Sequence, residues 1–181
     1  MQGHRNYYVF LFVLSFTQVA CAATALERYH HQTDEGRQVY AQATSLVNAI
    51  IQQDVATVQA VCSRYDAGLY TPLGEHRMLP LHVAAAYGNV AILKVLFDDD
   101  GCRGGQAYTS DDFELPDQAG RTPLFYALEA GKIDAACYLV SRGALVYQYM
   151  PRLDDQVVVS RLAQAQQDYR TWLATQEGGA E

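Results

Sequence analysis

The chain has 181 residues, 50% of them apolar and 18% charged, and a formal net charge of −7. This composition describes a globular chain long enough for a real core and excludes a disordered one. The acidic excess argues against nucleic acid and against anionic membrane surfaces, which both need clustered Lys and Arg, and it permits a basic protein partner.

The first residues read as an export signal. His4 and Arg5 make a weakly positive start, Tyr7 to Phe16 form an apolar core of about ten residues, and Ala20-Cys21-Ala22 is a small-x-small cleavage pattern. The stretch is too short to span a bilayer comfortably, so no membrane span is expected. Residues 1–22 are expected to be a signal peptide and 23–33 a flexible leader, with the mature chain periplasmic or secreted. Val19-Ala20-Cys21 also partly resembles a bacterial lipoprotein cleavage box, in which the Cys becomes the lipidated first residue. Gln18 stands where that box usually has Leu, so cleavage after Ala22 is expected and a lipid anchor at Cys21 is the alternative. His30-His31 have no third ligand at metal spacing nearby and read as solvated.

From Asp34 to Gln53 the apolar positions Val39, Ala43, Leu46, Val47 and Ile50 recur at steps of three and four, which predicts a helix with one buried face. Val55, Val58, Val61 and Cys62 predict a second helix after Gln53-Asp54. Ala67 to Met78 carries turn chemistry at Gly68, Tyr70-Thr71-Pro72 and Gly74. Leu79-Pro80-Leu81-His82, Ala84-Ala85 and Gly88 then outline a short helix, and Val90, Ile92-Leu93, Val95 and Leu96 a second one behind it.

Residues 98–116 are acidic, Gly-rich and aperiodic, so they are expected to be a surface loop. The acid run lacks the alternating oxygen ligands and closing Glu of a calcium loop, and no metal or cofactor is expected. Tyr108 and Phe113 are candidate anchors for a partner if exposed, with folding back onto their own repeat the open alternative.

The pattern is clearest next. Asp117-Gln118-Ala119-Gly120 is a turn, in which Asp can bond its own backbone two residues on and Gly accepts positive φ. Thr122 offers a hydroxyl to the free amides of a helix start, and Pro123 sits where no amide hydrogen is needed. Leu124, Ala127 and Leu128 share one face, Gly131 stops the helix, and Ile133, Ala136, Leu139 and Val140 face inward on a second helix ended by Gly143. After Pro151, Val158, Leu162, Ala165, Tyr169 and Trp172-Leu173 form the apolar stripe of a last helix over 151–176.

The stretch from Asp117 to Ala144 resembles one complete ankyrin repeat, and Leu79 to Leu96 a looser copy. Residues 34–68 resemble a degenerate first unit, without Thr-Pro-Leu-His and without a terminating Gly at Gln53. The spacing from Leu46 to Leu81 is close to the ankyrin period of about 33 residues, and that from Leu81 to Leu124 exceeds it by about ten, which makes 98–116 an insertion. The resemblance implies an all-α solenoid of about three helix-turn-helix units over 34–150 (34–68, 74–101 and 117–144), closed by the last helix. It makes Pro80, His82, Gly88, Asp117, Gly120, Thr122, Pro123, Gly131 and Gly143 structural, with His82 bonding the backbone of neighbouring turns. The chain departs from the family pattern at Arg77, where Gly is usual, at Leu79 for Thr, and at Phe125 for His.

In that family, fingers and first helices form a concave surface that grips another protein. Carried over, the partner-binding positions are Glu75, His76, Arg77, Tyr87, Tyr108, Phe113, Tyr126 and Glu129. Thirteen tyrosines fit such a role, since Tyr offers large contact area at little rotamer cost. The expected function is non-enzymatic protein binding in an exported compartment, with toxin neutralisation and enzyme protection or assembly both open. One alternative is a secreted factor acting on a host protein. The other is a metal-dependent activity drawing on Glu75, His76, Asp111 and Asp112, which spacing does not support. Among Cys62, Cys102 and Cys137 at most one internal bridge can form, by any of three pairings. Cys62 with Cys102 is preferred, because both lie near the ends of second helices, and three reduced thiols remain the alternative.

Overall fold

The computed structural model describes residues 34–62, 70–98, 110–146, 149 and 153–177. The expected signal peptide and leader, Cys21, Cys102 and Tyr108 lie outside the described residues. Helix α1 spans Asp34–Ile51 and α2 Val55–Cys62. Helices α3 (Pro80–Tyr87) and α4 (Val90–Asp98) follow. A 3-10 turn at Ser110–Glu114 leads to α5 (Pro123–Glu129) and α6 (Ile133–Ser141), and α7 runs over Gln156–Glu177. Among the described residues there is no strand, only one isolated bridge between Leu73 and Met78.

The helices form two layers. The first helices of the pairs, α1, α3 and α5, lie against one another in turn, and the second helices, α2, α4 and α6, do the same behind them. Each helix is too thin to hide its own apolar stripe, so the core runs continuously between the layers. Leu46, Leu81 and Leu124 hold equivalent buried places in the three pairs, backed by Val58, Leu96 and Leu139. Each such Leu stabilises the stack by about 1.5–3 kcal/mol relative to an exposed one. Ala84, Ala85 and Ala127 are fully or almost fully buried where first helices meet, and their small size lets neighbouring backbones approach.

Two turns that lack the family's glycine keep its geometry. Gln53, between α1 and α2, has φ +55°, and Arg77, before α3, has φ +50°. Gly88 and Gly131, after α3 and α5, take the same left-handed conformation without the Cβ penalty. The degenerate first pair thus turns like its neighbours because packing on α3 overrides a locally unfavourable residue.

The last helix covers the end of the stack only in part. Leu162 and Ala165 are buried against α6, and Arg161 bonds Asp134 at 2.5 Å. Beyond them the stripe is bare: Trp172 is 51% exposed and stacks on Tyr169 of its own helix. The cause is length. Helix α7 has 22 residues against 9 in α6, and at about 1.5 Å per residue it outruns its partner by about 20 Å.

Candidate protein-binding face

The finger before α5 is built around one buried carboxylate. Asp117 Oδ1 accepts the backbone N–H of Ala119 at 2.8 Å and of Arg121 at 2.9 Å. Its Oδ2 accepts Arg121 Nε at 2.9 Å and the Tyr126 hydroxyl at 2.6 Å, with the Arg121 guanidinium also at 2.7 Å. The backbone closes the turn, with Asp117 N–H donating to Arg121 O at 2.9 Å and Gly120 N–H to Asp117 O at 3.0 Å. Burial alone would push the Asp117 carboxyl up, but the bonds from Tyr126, Arg121 and Ala119 together hold it below the ordinary carboxylate range. The same burial and the Asp117 bond push the Tyr126 hydroxyl well up, so it stays a donor.

The finger before α3 makes its turn with no carboxylate at the position of Asp117. Gly74 stands where Asp117 does, and backbone bonds close its turn: Arg77 N–H donates to Gly74 O at 3.0 Å, and Leu73 and Met78 exchange both their bonds at 2.9 and 3.0 Å. The two finger tips are joined, since Gln118 N–H donates to His76 O at 3.0 Å.

His82 ties the two units together. It is fully buried. Its Nδ1 accepts the Leu79 N–H at 3.1 Å, which satisfies a helix-start amide next to the position where a Thr hydroxyl is missing. Its Nε2 lies 3.1 Å from Arg121 O, and because a carbonyl can only accept, Nε2 carries the proton. Burial pushes its pKa down, against the Arg121 carbonyl and the Asp117 charge. The ring is therefore neutral and spoken for on both nitrogens, with no edge free for a substrate.

The residues predicted for partner binding separate into three groups. Glu75, His76 and Arg77 are exposed together at the tip of one finger, beside exposed Gln118 and Ala119 of the next. Tyr87 and Glu129 lie near the ends of α3 and α5, Tyr87 half-buried and Glu129 exposed. Tyr126 and Phe113 are corrections. Tyr126 is 7% exposed because its hydroxyl is turned inward onto Asp117 and its ring meets His82 edge-on. Phe113 is 2% exposed because it stacks on Phe97 of α4, with ring centroids 4.5 Å apart. Neither ring is offered to a partner.

In their place stands a cluster that the sequence reading missed. The Arg121 guanidinium lies over the half-buried Phe125 ring at 6.0 Å and over Tyr126 at 5.1 Å. Tyr149 joins from beyond α6, with its hydroxyl 2.8 Å from Thr122 Oγ1 and its ring 6.4 Å from Phe125. The Thr122 cap bond to Phe125 N–H is long, at 3.5 Å. The Asp-x-x-x-Arg spacing could have flagged Arg121. Nothing local could have flagged Tyr149, which reaches α5 only through the fold.

No group of three or more His, Cys, Asp or Glu able to hold a metal occurs among the described residues, and Glu75 and His76 are at a finger tip while Asp112 accepts the Tyr70 hydroxyl at 2.9 Å. No helix among them is long and apolar enough to cross a membrane. Cys62 is disulfide-bonded and Cys137 is a free, partly buried thiol, its pKa pushed up by burial, so a Cys62–Cys137 or Cys102–Cys137 bridge does not form.

A family model described as Ankyrin repeats (3 copies) matches residues 46–149. The chain belongs to the ankyrin repeat family, and its repeats are an all-α solenoid. Comparison with curated proteins and with solved structures returned no match. Ankyrin repeats generally serve as protein–protein interaction modules.

Proposed function

We propose that this chain is an exported, non-enzymatic binding module that grips one protein partner through its finger tips and the first helices behind them. The observation that carries the reading is the joined pair of tips. Glu75, His76 and Arg77 stand exposed beside Gln118 and Ala119, on turns whose own hydrogen bonds are already made. Such a platform is rigid before binding, which reduces the ordering penalty of association. The net charge of −7 favours a basic partner and would steer its approach. Export is supported by the signal-like first residues and by a disulfide at Cys62, which suits an oxidising compartment. Neutralising a toxin, or protecting or assembling an enzyme, would both use this face.

The test is affinity capture with the intact chain from the exported fraction of its own cells. One stoichiometric basic protein is expected, released by salt and weakened by joint replacement of Glu75, His76 and Arg77 with Ala. Recovery of nothing under gentle conditions would overturn the reading.

A further inference from the structure

We infer that the end of the insertion is a clasp that joins the second repeat, the third repeat and the chain leaving it into one cooperative unit. The 3-10 turn Ser110–Glu114 places three consecutive side chains on three different parts of the molecule. Asp112 accepts the Tyr70 hydroxyl at 2.9 Å, at the entry to the finger before α3. Phe113 stacks on Phe97 of α4, and Phe97 in turn faces Tyr138 of α6 at 6.5 Å. Glu114 accepts the backbone N–H of Leu145, beyond the end of α6, at 2.8 Å. The turn also packs against α5.

This arrangement departs from the ordinary logic of a repeat array. There each unit touches only its neighbours through the stacked helices, and a terminal unit can open alone. Here one short turn adds a second route between the units. It reaches past the third repeat to the segment that leads towards α7. Opening α5–α6 alone would pull Phe113 from its stack or break the Glu114 bond, so the last repeat is penalised for fraying separately. An insertion read from sequence as a loop for partners is thereby given a mechanical task.

The test is native-state hydrogen exchange, read by peptide, on the full chain and three variants. Glu114→Ala removes the acceptor of Leu145 N–H at a partly exposed site and leaves the core intact; Phe113→Ala removes the stack. In the unaltered chain, α4 and α6 should open with the same free energy. In Glu114→Ala, exchange over 133–146 should rise about tenfold, as for the loss of one charge-assisted hydrogen bond, while α3 and α4 keep their protection. Phe113→Ala should give the same pattern, larger. An equal rise in every helix, or a rise confined to 110–116, would overturn the clasp. If Phe113→Ala fails to fold, Glu114→Ala and Tyr70→Phe still decide, since both alter exposed or half-exposed groups.

Discussion

The second and third repeats build the same pair of helices and hold their fingers by different means. The third uses side chains. Asp117 gathers two backbone amides, the Arg121 guanidinium and the Tyr126 hydroxyl, and Gly120 takes the left-handed turn at φ +75°. The second uses backbone. Gly74 has no carboxylate to offer, Arg77 occupies the left-handed position at φ +50°, and the Leu73–Met78 bridge closes the finger. The helix starts differ in the same way, with His82 serving Leu79 N–H and Arg121 O in one unit and Phe125, Thr122 and Tyr149 meeting in the other. The repeat shape is thus a property of stacking, and several local chemistries can satisfy it.

The largest consequence of that contrast is at Asp117. Replacing it with Ala should destabilise the chain by about 3–5 kcal/mol, because it removes a buried carboxylate that two backbone amides, the Arg121 guanidinium and the Tyr126 hydroxyl all donate to. Urea unfolding should show the midpoint falling with little change in slope. An effect below about 1 kcal/mol would mean that the third finger, like the second, is held by its backbone.

His82→Phe copies the third repeat into the second. It removes the acceptor of Leu79 N–H and one of the two donors to Arg121 O, and should cost about 2 kcal/mol at neutral pH. Its signature is the pH profile. Burial holds the His82 pKa below the ordinary value of 6.5, so below that pH the unfolded chain binds the proton that the folded chain refuses. The unaltered chain should therefore lose stability as pH falls through 6.5, and the variant should lack that component. Asp117 acts lower down, its depressed pKa giving stability that is present above the ordinary carboxylate value and lost in acid. Glu114, raised by burial, contributes with the opposite sign near its ordinary value, equally in both proteins. The difference between the two profiles isolates the histidine, and parallel profiles would remove it from the junction.

Smaller still is the contrast between Gly88 and Gly131, which end α3 and α5 with similar φ of +74° and +68°. Ala at Gly131 meets nothing within 4 Å and should cost about 1 kcal/mol, the left-handed penalty alone. Ala at Gly88 would bring its Cβ to 2.6 Å from the Lys132 side chain, which must move aside, so the loss should approach about 2 kcal/mol. Equal losses would show that Lys132 yields freely.

Most of the fold was legible because it rests on local rules. Thr122-Pro123 and Gly131 announce a helix and its end, and steps of three and four announce which face is buried. The degenerate first unit was read from its apolar steps and the spacing of Leu46 to Leu81, since Gln53 and Arg77 gave no local sign that they would turn left-handed. The candidate face was read less well. Aromatic rings in or beside a finger look like anchors, but Tyr126 is drawn in by a carboxylate nine positions earlier and Phe113 by a ring on another repeat, and both attractions exist only once the units have stacked. Trp172 shows the converse, a stripe that looks like core and outruns the helix meant to cover it.

The smallest expected effect is also the one that runs towards stability. Arg77 holds a conformation that costs a Cβ-bearing residue roughly 1–2 kcal/mol, and Gly would hold it without strain. Glycine also gives the unfolded chain more freedom, which takes back about 0.5–1 kcal/mol. Arg77→Gly should therefore stabilise the chain by only about 0.5–1 kcal/mol, visible as a modest rise in urea midpoint. At the equivalent place in the third repeat the reverse exchange, Gly120→Arg, should destabilise by a similar amount, for no atom lies within 4 Å of an added Cβ and only the backbone is strained. Because Arg77 is exposed at the joined tips, its replacement also removes a charge from the proposed face. A chain that becomes more stable and binds its partner less well would explain why a strained residue stands there, whereas a stable chain with unchanged binding would leave Arg77 a tolerated departure from the repeat.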